Sequence, residues 1–325
     1  MTTASTLVIR ETTDADIPAM ARIMGEVNPA HPWTPEALAH EIEFLQAHPL
    51  GLHLAQWIVE EAGQPVATAA ILQFAGMYHE DRYHAEVMVL PASGRRGIGT
   101  RLADVLDAHL RRRGAREVLA GAYENHPHAL AFLTRRGFTE AMRFWDNVLD
   151  LRDFDLPVWA EQEQLPDGVR VLTYPQLEAE LGPDAALDAY YEGFREARED
   201  VPRTGDVTAL TVEDFRKRFE NPSVFPQGVL LAVTGAGEVV AVSELWRAQD
   251  NPQRLDTGLT GTRRAWRRRG LALALKLAAI RVAQAADVTE IWTGNATTNA
   301  PMLAINERLG FRRRPAFIEM KWGGV

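Results

Sequence analysis

The sequence contains no cysteine, which excludes disulfide bonds, thiolate metal sites and a cysteine nucleophile. No apolar run reaches the roughly 20 residues that a helix needs to cross a bilayer. The opening residues, MTTASTLVIRETT, lack a basic region followed by an apolar core, so we expect a cytoplasmic protein without a membrane partner. Basic residues are also in deficit, 35 against 44 acidic ones, which argues against a general nucleic-acid binder.

An internal repeat organises the 325 residues. A shift of 173 residues places Gly97 on Gly270 and Gly137 on Gly310, and the two glycines of each copy lie 40 residues apart. Each copy reads as a turn, a helix, a short strand and a second helix before Gly-Phe. A repeat of this length indicates a duplicated domain. We predict domains at 1–153 and 168–325, joined by a polar, proline-containing linker at 154–167. Each is predicted to be a mixed α/β sheet with helices on both faces.

The arginine-rich turn of the second copy, RRAWRRRGLA, carries the clearest chemical signal. A strand-like segment precedes it and an amphipathic helix follows. Gly270 has no Cβ, so the backbone can approach a ligand closely. The start of the helix favours an anion, and arginines add charge-assisted donors. The turn therefore predicts a diphosphate site, in preference to a solvated basic surface or a nucleic-acid patch. Its members are Arg267, Arg268, Arg269, Gly270, Leu271 and Ala272.

These motifs resemble those of GNAT-superfamily N-acetyltransferases, and the duplication resembles the tandem, two-domain group that includes mycothiol synthase. The family signature, Arg/Gln-x-x-Gly-x-Gly/Ala, is complete in residues 267–272, whereas Gly94 replaces its arginine in the first copy. The rest of the first turn is Arg95, Arg96, Gly97, Ile98 and Gly99. The resemblance implies two acyl-CoA N-acyltransferase domains with acetyl-CoA as co-substrate. The expected binding site is the C-terminal turn, and the N-terminal site is expected to be weaker or empty.

A second family pattern is carried by Asn299 and Gly310-Phe311, with Asn306 where the family has a tyrosine. The resemblance implies that Asn299 contacts the cofactor, although a helix cap is an equal alternative. The family's tyrosine protonates the leaving thiolate. Asn306 can only donate a hydrogen bond there, because an amide has no titratable proton.

The resemblance also implies direct attack of a primary amine on the thioester in a ternary complex, which positioning strongly accelerates. Backbone N–H groups before each turn are expected to bind the acetyl oxygen. These positions are Thr260, Gly261 and Thr262 in the second copy and Val87, Met88 and Val89 in the first. Glu244 and Asp256 are the candidates for general base, with a paired structural carboxylate as the alternative for each. Glu86 is expected on a solvated face of its strand.

Two classes of function remain open from the sequence. One is an acetyl-CoA-dependent N-acetyltransferase, acting as a monomer or homodimer on a small-molecule or peptide amine. The other is a non-catalytic acyl-CoA-binding or interaction module, favoured by the missing tyrosine. No cluster of residues predicts a metal site. Acetyl transfer to candidate amines would separate the two classes.

Overall fold

A computed structural model describes residues 7–323, and the chain divides into two compact units. Within the described residues the first unit comprises 7–142, 205–208 and 317–323, and the second comprises 143–204 and 209–316. Each unit therefore takes its last strand from the other half of the sequence. The domains 1–153 and 168–325 remain a prediction about the repeated sequence halves, and the linker 154–167 lies inside the second unit.

The strands and helices follow one another in the order expected of a duplicated domain. They are β1 (Leu7–Glu11), α1 (Ile17–Val27), α2 (Pro35–Ala47), β2 (Leu54–Glu61), β3 (Gln64–Leu72), β4 (Arg82–Val89), α3 (Ile98–Arg113), β5 (Glu117–Tyr123), α4 (Pro127–Arg135), β6 (Thr139–Asp150), β7 (Val169–Thr173), α5 (Tyr174–Leu181), α6 (Pro183–Glu199), α7 (Val212–Lys217), β8 (Val224–Thr234), β9 (Val239–Arg247), β10 (Arg254–Thr262), α8 (Leu271–Ala285), β11 (Glu290–Ala296), α9 (Ala300–Arg308) and β12 (Arg312–Gly323).

The sheet of the first unit has the strand order β1–β2–β3–β4–β5–β12. Its β4 and β5 run parallel, whereas the other pairs that we describe are antiparallel. Side chains alternate across β2, so that Trp57 and Val59 pack against α3 while Ile58 packs against α1 and α2. The sheet is thus covered by helices on both faces.

The second unit repeats this arrangement with the order β7–β8–β9–β10–β11–β6. Again one pair, β10 with β11, is parallel. Ala232 of β8 joins the core under α8, while its neighbour Leu231 joins the core under α5 and α6. The mixed α/β fold with helices on both faces, predicted from the sequence, is confirmed in both units.

The two predicted turns have closely matching backbone conformations. Gly97 and Gly270 precede α3 and α8 with φ of 81° and 82°, a left-handed conformation that glycine adopts without strain. Arg95 and Arg268 also have positive φ, at 57° and 60°. The backbone of the turn is therefore the same in both copies, and a difference in ligand binding must come from the side chains and segments around it.

Within residues 7–323 no helix is long and apolar enough to cross a membrane. The same residues contain no group of three or more histidines and carboxylates arranged to hold a metal ion.

Candidate active site

A cavity of about 1070 Å³ lies within the first unit. It opens because β4 and β5 pair only from Arg82↔Glu117 to His84↔Leu119, after which residues 85–89 and 120–123 are no longer joined. The free edge of β4 and the turn before α3 form one side. Most of the first-copy residues named from the sequence line this cavity, namely Val87, Met88, Val89, Arg95, Gly97, Ile98 and Gly99. Arg96 does not, because it forms an ion pair with Glu61.

Three arginines give this cavity a positive charge. Arg95, Arg111 and Arg135 line it with exposed side chains. None of their guanidinium groups has a hydrogen-bond or ion-pair partner among residues 7–323. A Cβ placed on Gly97 would meet no atom within 4 Å, so the amides of the turn are open to a ligand. Free cations beside an open helix start are suited to bind the phosphates of a nucleotide-like molecule.

Glu86 brings a carboxylate to the same cavity. Its side chain is half-buried, lines the cavity and has no partner among the described residues. Burial raises the pKa of the Glu86 carboxyl above its usual value of 4.5. The side chain is therefore not on the solvated face expected from strand alternation. A carboxylate with a raised pKa in a cavity has the properties of a general base.

The turn of the second unit is partly neutralised by acidic side chains of the same unit. Arg267 pairs with Asp200 at the end of α6, and Arg264 pairs with the same carboxylate at 2.8 Å. These two guanidinium groups hold the pKa of Asp200 well below its usual range. Arg263 binds Glu196 at 2.6 Å. Three of the turn's arginines are thus already paired with acids, whereas Arg268 and Arg269 have no carboxylate partner among the described residues.

The segment predicted as a linker covers this second turn. Residues 156–163 form a 3₁₀ helix, and a Cβ on Gly270 would lie 4.0 Å from the carbonyl oxygen of Gln164. Glu163 accepts a hydrogen bond of 2.6 Å from Arg281 on α8. Gln162 accepts one of 3.0 Å from Arg308 at the end of α9. The segment therefore lies against α8 and α9, which correspond to the two helices, α3 and α4, that line the first-unit cavity.

Side chains also fill the interior of the second site. Lys276, which the repeat places on Ala103 of the first cavity, is buried, and burial lowers its pKa to about 8. Asn306 is buried as well and donates to Asn295 at 2.6 Å. Asn299 caps α9 by accepting from the N–H of Met302 at 3.4 Å. We find no role for either asparagine at an open site.

The strand before the second turn is also closely covered. Thr260 forms a hydroxyl–hydroxyl hydrogen bond of 2.9 Å with Ser243. A Cβ on Gly261 would lie 2.9 Å from the Cβ of Ala197 on α6, a closer approach than side chains allow. The corresponding strand β4 of the first unit instead borders the cavity.

Glu244 lies in the core of the second unit with no exposed surface. Its carboxylate accepts hydrogen bonds from Tyr190, from Arg218 at 2.9 and 3.1 Å, and from the N–H of Leu259 at 2.8 Å. Arg218 in turn contacts the aromatic ring of Trp246. This is the structural alternative that the sequence left open, and the carboxylate fixes the bulged part of β10.

Asp256, the other candidate base, forms an ion pair of 2.8 Å with Arg254, and 40% of its side chain is exposed. It belongs to the second unit and borders neither the cavity nor its turn. Neither Glu244 nor Asp256 is therefore placed to act as a general base at the cavity.

We expect Glu244→Gln to lower the free energy of unfolding by about 3–5 kcal/mol, because it leaves the buried charge of Arg218 without its partner. Urea unfolding followed by circular dichroism measures this loss. The matched control is Glu26→Gln, which breaks the exposed ion pair between Arg22 and Glu26 and should change stability by about 1 kcal/mol or less. Equal unfolding midpoints for Glu244→Gln and the parent would contradict a structural role for Glu244.

Sequence reasoning missed the free arginines on α3 and α4 and gave Glu86 too little weight. Arg111 and Arg135 lie outside the signature, and only their spacing along the two helices that flank the turn links them to it. Glu86 directly precedes the three residues predicted to bind the acetyl oxygen. That proximity was the available signal for its role.

Comparison with known proteins agrees with this geometry. Residues 18–138, which contain the first turn and Glu86, match the acetyltransferase (GNAT) family model. The mycothiol acetyltransferase of Catenulispora acidiphila is 28% identical over 237 residues, covering 71% of this chain and 70% of that protein. The mycothiol acetyltransferase of Thermobifida fusca is 30% identical over 197 residues, 58% of this chain and 55% of that protein.

Two solved structures share the fold over almost the whole chain. A tandem GNAT protein from the clavulanic acid biosynthesis pathway superposes with a TM-score of 0.76 at 21% identity, covering 98% of each chain. A GCN5-related N-acetyltransferase from Sphaerobacter thermophilus gives a TM-score of 0.69 at 20% identity, covering 98% of this chain and 97% of that one. Residues 18–138 therefore form a GNAT acetyltransferase domain, a family whose co-substrate is acetyl-CoA, and the chain as a whole has the fold of a tandem GNAT protein.

Proposed function

We propose that acetyl-CoA binds in the cavity of the first unit and that its acetyl group passes there to the primary amine of a small molecule. The observation that most strongly supports this location is the contrast between the two turns. At Gly97 the amides are open, and the three arginines that line the cavity are unpaired. At the second turn Arg267 is ion-paired and segment 156–163 lies against α8 and α9, although Arg268 and Arg269 have no carboxylate partner among the described residues. This assignment replaces the sequence-based expectation that the C-terminal turn holds the cofactor.

The residues of the cavity support a direct transfer. Arg95, Arg111 and Arg135 would bind the phosphates, and the amides of 97–99 would donate to the diphosphate. Free N–H groups along residues 87–89 would donate to the acetyl oxygen as it gains negative charge. Glu86 would take a proton from the ammonium form of the acceptor, because only the neutral amine can attack. The new C–N bond then forms as the C–S bond breaks, and the second amine proton ends on the released thiol.

Amino-acid, polyamine and amino-sugar acceptors all carry the required primary amine. The names of the two relatives favour, as the first acceptor to test, the amine that a mycothiol acetyltransferase acetylates. A panel of amines assayed for release of the CoA thiol would identify the acceptor.

Calorimetric titration with acetyl-CoA tests the location. We expect one binding site per chain, because three arginines at the second turn are ion-paired and segment 156–163 lies against its two helices. Two sites of equal affinity would contradict the proposal. Loss of the heat signal in a triple variant, Arg95→Ala with Arg111→Ala and Arg135→Ala, would identify the occupied site as the first. A matched Arg264→Ala, Arg267→Ala variant should retain binding.

A further inference from the structure

His84 lies two residues before Glu86 on β4, at the last position where β4 still pairs with β5. Residues i and i+2 of a strand share a face, so both side chains lie on the same side of the sheet. The register with β3 agrees, since Leu72 lies opposite His84 and Ala70 opposite Glu86. Both residues line the cavity of the first unit. Histidine and carboxylate therefore border the space where an acceptor would enter.

The imidazole of His84 makes no use of its hydrogen-bonding groups within the fold. The residue is 8% exposed, and its Nε2 is buried without a partner among residues 7–323. The ring meets Phe74 edge-on at 4.2 Å between centroids. A buried polar nitrogen without a partner destabilises a protein, so this side chain is not explained by packing alone.

His84 is also neutral at working pH. Burial lowers its pKa to about 4, with a smaller effect in the same direction from Arg82, while Glu117 acts in the opposite direction. A neutral imidazole has one nitrogen that accepts a hydrogen bond and one that donates. It can therefore accept a hydrogen bond from an amine, and because it is uncharged it does not repel the ammonium form.

We propose that His84 binds the acceptor amine and makes the site selective for primary over secondary amines. A neutral primary amine has two N–H groups and one lone pair. If one N–H is bonded to Glu86 and the other to His84, the lone pair is left free to attack the thioester. A secondary amine has one N–H and leaves either His84 or Glu86 unpaired. This inference rests on the proposed function, because it assumes that transfer takes place in the first cavity.

The test compares each primary amine with its N-methyl derivative, using benzylamine with N-methylbenzylamine and glucosamine with N-methylglucosamine. The parent enzyme should favour the primary amine by about 30-fold or more in kcat/KM, since an unpaired buried group is strongly rejected. His84→Phe keeps a flat ring and removes both nitrogens. It should slow the primary amine, leave the N-methyl amine unchanged and bring the ratio within about 3-fold.

Two further variants separate the possible explanations. His84→Gln retains an acceptor and should restore part of the selectivity. Glu86→Gln should slow both amines alike and leave the ratio unchanged. In His84→Phe the acetyl-CoA affinity should be unaffected and the melting temperature should be equal to or above the parental one, because the variant removes a buried nitrogen that has no partner. If the histidine were structural, the variant would lower both rates and the melting temperature.

If His84→Phe keeps the parental preference for primary amines, the proposal is wrong. A preference that survives replacement by a ring of similar size is steric and does not depend on the imidazole nitrogens. Equal loss for both amines would overturn the proposal too. If Glu86→Gln and His84→Phe both keep the parental rate, the proposed function itself fails. If Glu86→Gln is inactive and His84→Phe is unchanged, only the inference about His84 fails.

Discussion

Gly97→Val is expected to weaken acetyl-CoA binding by about 100-fold or more, a change of ~2.7 kcal/mol, whereas Gly270→Val should leave binding unchanged. The added side chain at residue 97 would project into open space where the diphosphate must approach the backbone. The two glycines have φ of 81° and 82°, so a valine strains both turns equally, by roughly 1–2 kcal/mol. The pair of variants thus separates cofactor contact from backbone strain. Calorimetry with acetyl-CoA measures the difference.

The reverse pattern, with binding lost in Gly270→Val and retained in Gly97→Val, would restore the expectation drawn from the sequence motif. Circular dichroism at the assay temperature provides the control that both variants are folded. Equal losses in the two variants would show that backbone strain, and not contact with the cofactor, weakens binding, and would contradict the prediction.

Glu86→Gln should lower kcat by about 100- to 1,000-fold at neutral pH, the usual effect of removing a general base. Acetyl-CoA affinity should remain, because Glu86 lies on β4 and outside the turn before α3 that we propose as the diphosphate site. The pKa of Glu86 is raised above 4.5, and only the deprotonated carboxylate accepts a proton. Activity of the parent should therefore fall as pH drops through this raised pKa, with an ascending limb that Glu86→Gln lacks.

Steady-state rates between pH 5 and 9, with saturating acetyl-CoA, measure this dependence. Asp256→Asn is the matched control, since its ion pair with Arg254 lies in the second unit. A parental rate in Glu86→Gln across this range would show that another group, or water, removes the proton.

The fold was predictable from the sequence because its determinants are local. Thr34 followed by Pro35 predicts the start of α2, and the Thr34 side chain does accept from the N–H of Ala37. Glycine before an apolar helical run predicts the left-handed turn at Gly97 and at Gly270. The 173-residue repeat then requires both units to have one fold.

The site was harder to predict, because a sequence motif shows which side chains are present but not which of them are already paired with other residues of the fold. The complete signature around Arg267 made the second turn the stronger candidate. Its partner Asp200 lies 67 residues earlier in the chain, on a helix whose register to the turn no local pattern reveals. Glu244 likewise became structural through Tyr190, which is 54 residues away. Pairing over such distances depends on tertiary packing.

Each unit completes its sheet with a strand from the other half of the sequence, which affects folding during synthesis. In the first unit β5 is bordered by residues 317–323, which are synthesised long after β5 itself. A nascent chain that has emerged only as far as the linker therefore carries β5 with an unpaired edge, which invites association with other chains. The sheet of the first unit therefore cannot be completed until residues 317–323 have left the ribosome. A gene cut between its two repeated halves would release two fragments that each lack a strand.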